Sequence, residues 1–260
     1  MKKFFFAITV AAVVAVFFFR VQIKDFVQDL TQPRLPEPHQ AEEFAEKKSK
    51  AGTPLLKPDN KNTEAIAQNG AQQPEEINLN IPFGSQAPFA NWDLPYQEAC
   101  EEAAAIMVHY YYEGKELTPK IMDEEILKLI EWENKTFGYY EDATAEEIAR
   151  IMREYFGHKN VAVRYEFTIE DIKKEIAQGR PVILPAAGRL LNNPNFRQPG
   201  PIYHALVAKG YTNEKIITND PGTRKGKNFL YDPKVLMNAL HEWNEENILQ
   251  GKHAMVVAVE

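Results

Sequence analysis

The sequence predicts an α+β fold, with helices packed on an antiparallel sheet, and two observations carry that reading. Helical periodicity and capping signals crowd the stretch between Cys100 and Gly179, whereas short apolar runs broken by Gly, Pro and Asn dominate after Val182. Helices gathered ahead of strands, without a regular βαβ alternation, place the helices on one face or end of the sheet. The bulk numbers agree. A chain of 260 residues with 44% hydrophobic and 26% charged residues suits a globular protein of one or two domains. The formal net charge of −7 speaks against a nucleic-acid partner, which would call for a basic face. A single cysteine excludes an internal disulfide and a cysteine-based zinc site, and no motif asks for a cofactor.

The chain falls into three parts. In residues 1–20, Met1-Lys-Lys precedes an apolar run from Phe4 to Phe19, interrupted only by Thr9 and closed by Arg20. The run sits at or below the roughly 17 residues a spanning helix needs. It ends in Val16-Phe-Phe-Phe-Arg20 rather than in the small residues of a cleavage site, which favours an uncleaved membrane anchor over a cleaved signal peptide. Lys2 and Lys3 lean the N-terminus to the inside, which puts the rest of the chain outside the cytoplasmic membrane. Residues 21–76 carry Pro33, Pro36, Pro38, Pro54, Pro58 and Pro74 among Glu, Lys, Gln and Asn, a composition expected to form a disordered tether. The folded domain is expected over 77–260.

Ile77-Asn-Leu-Asn-Ile81 alternates apolar and polar residues, the period of a half-buried strand. Pro82 ends it, and Pro88, Asn91 and Pro95 mark an irregular loop. Ala103 to Tyr112 is rich in helix formers and stops at Gly114, a C-cap. Thr118 caps a second helix with Pro119 at its first position, and Ile121 to Trp132 continues it. Thr144-Ala-Glu-Glu147 is a capping box, and Ile148, Ile151, Met152 and Tyr155 extend that helix to Gly157. Val161 to Phe167 reads as a strand. Thr168 to Asp171 opens a helix with Ile169, Ile172 and Ile176 on one face. Val182 to Leu184 is a short buried strand, followed by a long Gly- and Pro-bearing loop, Ala186 to Pro201, expected to be a mobile flap. His204–Lys209 and Lys215–Thr218 form a hairpin turning near Asn213; Pro233 to Trp243 is a helix and Ala254 to Val259 the last strand.

Chemistry converges on Cys100. The helix run that follows puts it in or beside a first turn, where unpaired N–H groups and the helix dipole favour an anion. A thiol there loses its proton more readily, and the thiolate is the nucleophile. A cysteine nucleophile needs a base and a third group to orient the base. Of six histidines, His39 lies in the tether, His109 sits half a turn around the same helix, and His158 and His241 read as surface residues. His204 and His253 each open an apolar strand. His204 is favoured, because antiparallel pairing brings Asp220, at the end of the next strand, back beside it. Donors for an oxyanion are the Cys100 N–H and a side-chain amide, with Gln86 and Gln97 as candidates.

Three blocks, Ile81-Pro-Phe-Gly-Ser-Gln86 with Tyr96-Gln-Glu-Ala-Cys100-Glu-Glu-Ala, Tyr203-His204-Ala-Leu-Val-Ala-Lys-Gly-Tyr, and Asn219-Asp220-Pro-Gly, resemble the bacterial C39-like cysteine peptidases, which have a papain-like fold. The resemblance runs from about Ile77 to the end. It implies Cys100 as nucleophile, His204 as general base and acid, Asp220 as orienting group and Gln86 as oxyanion donor. Two departures stand out. Ala99 and Glu101 flank the cysteine where many members carry Gly, and the long Gln86-to-Cys100 spacing keeps Gln97 open. The chain has no Gly-x-x-x-x-Gly-Lys-Ser/Thr motif, so leader processing coupled to an exporter is not implied. The expected function is a membrane-tethered thiol hydrolase that opens peptide or isopeptide bonds in a peptide or protein substrate. The alternative is an idle member that binds a peptide or wall component in the same groove.

Overall fold

Residue burial in the central helix sets the plan of the molecule. In the computed structural model, which describes residues 34–50 and 73–259, Ala103 to Met107 are fully buried on every side of the helix. A helix apolar all round has to be enclosed, and this one packs on the central strand of the sheet and against the helix that follows it. Each fully buried Ile, Leu or Met contributes roughly 1.5–3 kcal/mol.

The elements in chain order are β1 (Pro38–His39), α1 (Ala41–Lys50), β2 (Ile77–Leu79), α2 (Cys100–Tyr112) and α3 (Pro119–Thr136). Next come α4 (Ala145–Arg150, continued by a wider turn, Ile151–Tyr155), β3 (Asn160–Arg164), α5 (Ile169–Ala177) and β4 (Val182–Ala187). They are followed by β5 (Tyr203–Tyr211), β6 (Ile216–Asn219), β7 (Phe229–Tyr231), α6 (Pro233–Ala239) and β8 (Met255–Val259). The strands join in the order β1-β2-β5-β4-β8-β3, with β6 added to β5 and β7 to β6. All pairings are antiparallel except β1 with β2. The expected α+β class holds. Thr118, Thr144 and Thr168 each cap a helix with their side chain, and the last two complete capping boxes.

The sheet begins earlier than the sequence suggests. The expected tether includes residues that the structure builds into the body: the described residues 36–50 fall in one compact unit with 73–259, and β1 pairs in register with Asn78 and Leu79. The Asn78 side chain donates to the Pro36 carbonyl at 3.3 Å, and Phe44 of α1 packs so closely on Gly179 that a Cβ there would lie 2.3 Å from its ring. A boundary at Ile77 therefore cuts off an ordered edge. Two prolines and a run of charges hid it, because a two-residue strand carries no alternation. The other unit, Met1–Leu35, lies almost wholly outside the described residues, as do the proposed anchor and most of the tether. Among the described residues no helix is long and apolar enough to cross a membrane.

The interface of α2 with α3 carries an unusual load. Glu102 and Glu133 are both fully buried there, and outside the pair none of their four carboxyl oxygens finds a donor. Burial and each other's charge push Glu102 well above the carboxylate range, and burial raises Glu133 to about 8.

Candidate active site

β5 is buried along all nine residues, and its second residue is His204. Antiparallel pairing of β5 with β6, Val207 opposite Asn219, continues past the strand end and returns Asp220 to the imidazole. His204 Nε2 lies 2.8 Å from Asp220 Oδ1. That oxygen also accepts from the Gly222 N–H at 3.0 Å, while Oδ2 accepts from the Tyr231 hydroxyl at 2.6 Å and Asn193 Nδ2 at 3.0 Å. Burial alone would raise the carboxyl; the charge and hydrogen bond of His204, with Tyr231 and Gly222, outweigh it and hold Asp220 below its ordinary pKa. An ionised Asp220 fixes the tautomer: Nε2 carries the proton and Nδ1 is left to accept one. Phe196 stacks edge-on against the ring at 5.2 Å between centroids. Gly222 closes the other side, where a Cβ would fall 2.7 Å from His204 Cε1.

Cys100 is the first residue of α2, after a short turn over Tyr96–Glu98 and with no side-chain cap at Ala99. Cys100 and His204 line the same cavity, of about 1160 Å³. The structure thus places Cys100 and His204 on one space, with Asp220 buried behind the imidazole. His253 packs against His241 at 4.9 Å between ring centroids, away from the residues that line it. His158, expected at the surface, is buried, and its Nε2 lies 3.3 Å from His109 Nδ1.

Three features depart from the expectation. The Cys100 thiol donates to Glu101 Oε2 at 2.8 Å rather than to His204. Burial, then the Glu101 charge and hydrogen bond, then Glu102, raise the thiol well above its ordinary pKa, and the Ala205 N–H opposes them only in part. The helix N-terminus does not prevail over desolvation in this resting arrangement. Second, both protons of the Gln86 amide are committed, to the carbonyls of Tyr96 and Gln97 at 2.9 Å each. Gln86 thereby ties down the turn that presents Cys100, and in this arrangement its Nε2 has no proton left for an oxyanion. The Gln97 amide is exposed and donates to Glu98 at 2.8 Å. Third, the loop after β4 is not a free flap at its start. Leu191, Asn193 and Phe196 are buried, and Asn193 and Phe196 build the surroundings of Asp220 and His204. Asn193, Tyr231 and Glu101 were not singled out from the sequence. The first two come from a loop and from a strand without a clear period, and Glu101 stood out only as a departure beside the cysteine.

A cysteine at a helix start, a histidine opening a central strand and a carboxylate orienting it are the layout of papain-like thiol proteins. The chain belongs to the Peptidase_C39 like family, whose model matches residues 78–247. Among solved structures it is similar to a candidate C39-like peptidase from Bacillus anthracis, with 17% identity, 72% of this chain and 98% of that one covered, and a TM-score of 0.48. No curated protein matches the chain.

Proposed function

We propose that this member of a C39-like peptidase family is a cysteine peptidase that opens peptide or isopeptide bonds through an acyl-enzyme on Cys100. The observation that carries the reading is the His204–Asp220 pair at 2.8 Å, with one imidazole nitrogen left to accept, beside a cavity that a helix-start cysteine also lines. His204 Nδ1 takes the proton from Sγ. The thiolate attacks the substrate carbonyl carbon, a C–S bond forms, and the C=O pair moves onto oxygen. The Cys100 N–H, at a helix start without an intrahelical acceptor, is the donor offered to that oxyanion. The imidazolium then protonates the leaving amine as the C–N bond breaks. Water, losing a proton to Nδ1, attacks the thioester, and the acid leaves as Sγ takes the electron pair back. Exposed Trp92, Leu94 and Ile202 on the cavity rim supply apolar surface of the kind that holds an extended peptide.

An extracytoplasmic location, with residues 1–20 as the membrane attachment, is part of the same proposal and rests on the apolar run Phe4–Phe19. The test of the chemistry is labelling by a peptide carrying a thiol-directed electrophile, with the modified residue mapped. Cys100→Ala is expected to abolish it and His204→Ala to slow it about a hundredfold, with His253→Ala unchanged. Labelling of Cys100 only after unfolding, or at full rate in His204→Ala, would overturn the peptidase reading in favour of a binding groove.

A further inference from the structure

The residue after the nucleophile is a carboxylic acid held against the sulphur, and no part of the triad accounts for it. Glu101 is 1% exposed. Its Oε1 accepts from the Ala143 N–H at 2.9 Å and its Oε2 meets Cys100 Sγ at 2.8 Å. Among the described residues no lysine or arginine pairs with it. The titratable groups that act on it are Cys100 and Glu102 on its own helix, Asp142 in the loop before α4, and Tyr203 on β5, none of them a cation. His204, Glu98, Glu141, Arg197, Arg224 and Lys225 line the same cavity. A helix N-terminus favours a charged carboxylate, but a buried one without a counter-ion gives up its charge by keeping its proton. Burial and the neighbouring Glu102 act in that sense here, raising Glu101 well above the carboxylate range.

We propose that Glu101 is a further catalytic residue that works as a neutral carboxylic acid, its Oε1 fixed by Ala143 and its Oε2–H donated to the Cys100 sulphur once His204 has taken the thiol proton. In the resting site the same oxygen accepts from the thiol. When the thiol proton moves to His204 Nδ1, the hydrogen bond reverses direction and the carboxyl keeps its own proton. No charge is added beside the new thiolate, and one donor is gained. Buried sites elsewhere use a carboxylic acid kept neutral in this way to donate to a developing anion. The inference rests on Cys100 and His204 acting as proposed above, and it explains why a residue larger than glycine follows the cysteine.

The prediction separates charge from hydrogen bonding. In Glu101→Gln the amide reproduces both contacts, the oxygen accepting from Ala143 and the nitrogen donating to sulphur. Glu101→Met fills the same space without a donor. The measurement is the rate of Cys100 alkylation by iodoacetamide in the full chain across pH 5–10 (about pH 5 to 10, spanning thiol titration), with folding checked by circular dichroism. At neutral pH, Gln is expected within about threefold of wild type and Met about tenfold slower. Above the pH at which Glu101 ionises, a carboxylate beside the sulphur slows the wild type, so Gln should overtake it. Gln as slow as Met, or Met as fast as wild type, overturns the proposal. If either replacement fails to fold, the other still decides against wild type, Gln by overtaking it at alkaline pH and Met by slowing at neutral pH. A His204→Ala variant run beside them keeps the two readings apart: an unchanged rate there sinks the peptidase reading, whereas a slowed rate with indifferent Glu101 variants sinks only this one.

Discussion

Two buried carboxyl sites in this protein solve the same problem in opposite ways. Asp220 is fully buried and ionised, because four donors converge on its two oxygens and one of them is an imidazole. Glu102 and Glu133 are equally buried and are pushed towards the neutral form, because burial is not offset by any donor from outside the pair. Burial alone therefore does not decide the charge of a carboxyl; the charge of a neighbouring imidazole and the donors around the oxygens do. The Asp220 site is a finished polar network of the kind that fixes a geometry. The Glu102–Glu133 site under α2 is an unfinished one, which makes the helix that carries Cys100 sensitive to proton concentration.

The comparison breaks most sharply at Asp220. Asp220→Ala leaves the donors of His204, Tyr231 and Gly222 without an acceptor and Asn193 with only the Tyr231 hydroxyl, and is expected to cost about 3–5 kcal/mol in urea unfolding at neutral pH. A loss under about 1 kcal/mol would show that the cage adds no stability.

Next in size is the pH dependence of the pair. A carboxyl whose folded pKa is raised holds its proton where the unfolded chain has released it. Its stabilisation is full below the unfolded value of 4.5 and is lost as pH rises towards about 8 for Glu133. Glu133→Gln should flatten that decline and leave the variant more stable than wild type at pH 8, by on the order of 2 kcal/mol. Urea midpoints at a series of pH values read it directly, and a parallel decline in both proteins would rule out Glu133 as its source. Asp220, with its pKa lowered, has the opposite slope: its contribution is present above the unfolded value of 3.8 and is lost as pH falls below it.

The smallest expected effect is Tyr231→Phe. It removes one donor of the cage and the acceptor that Asn193 uses at 2.9 Å, for about 1 kcal/mol. The alkylation rate of Cys100 should fall only a few-fold, since His204 keeps its bond to Oδ1. A loss as large as that of Asp220→Ala would mean that Tyr231, not the carboxylate, organises the site.

Local signals were the most legible part of the chain. Thr118, Thr144 and Thr168 cap the helices they were expected to cap, because a cap is a matter of three or four consecutive residues. Cys100, His204 and Asp220 were readable for a similar reason: a helix start and a hairpin fix where each lies without knowledge of the whole fold. What was not readable depends on distance in sequence. Asn193 reaches Asp220 across 27 positions and Tyr203 reaches Ala143 across 60, and no periodicity announces such a contact. β7 escaped because Phe229–Tyr231 is too short to alternate. The direction of the Gln86 amide escaped because it is set by two carbonyls of a turn whose shape the sequence leaves open. The sequence predicts one helix from Pro233 to Trp243, but regular helix stops at Ala239, and Leu240 turns extended to bridge to Ala186.

The short strand β1 has a consequence beyond its size. Without it, the backbone of β2 would present unpaired N–H and C=O groups along an open margin of the sheet, a template on which a second copy of the chain could align. Pro38 and His39 occupy that margin at Asn78 and Leu79, and the His39 carbonyl also takes the Asn80 N–H at 2.7 Å. Proline, which cannot donate, is suited to be the outermost residue of such a margin. A stretch with the composition of a linker thus covers an edge of the sheet, and trimming it to a tidier domain would lay that edge bare.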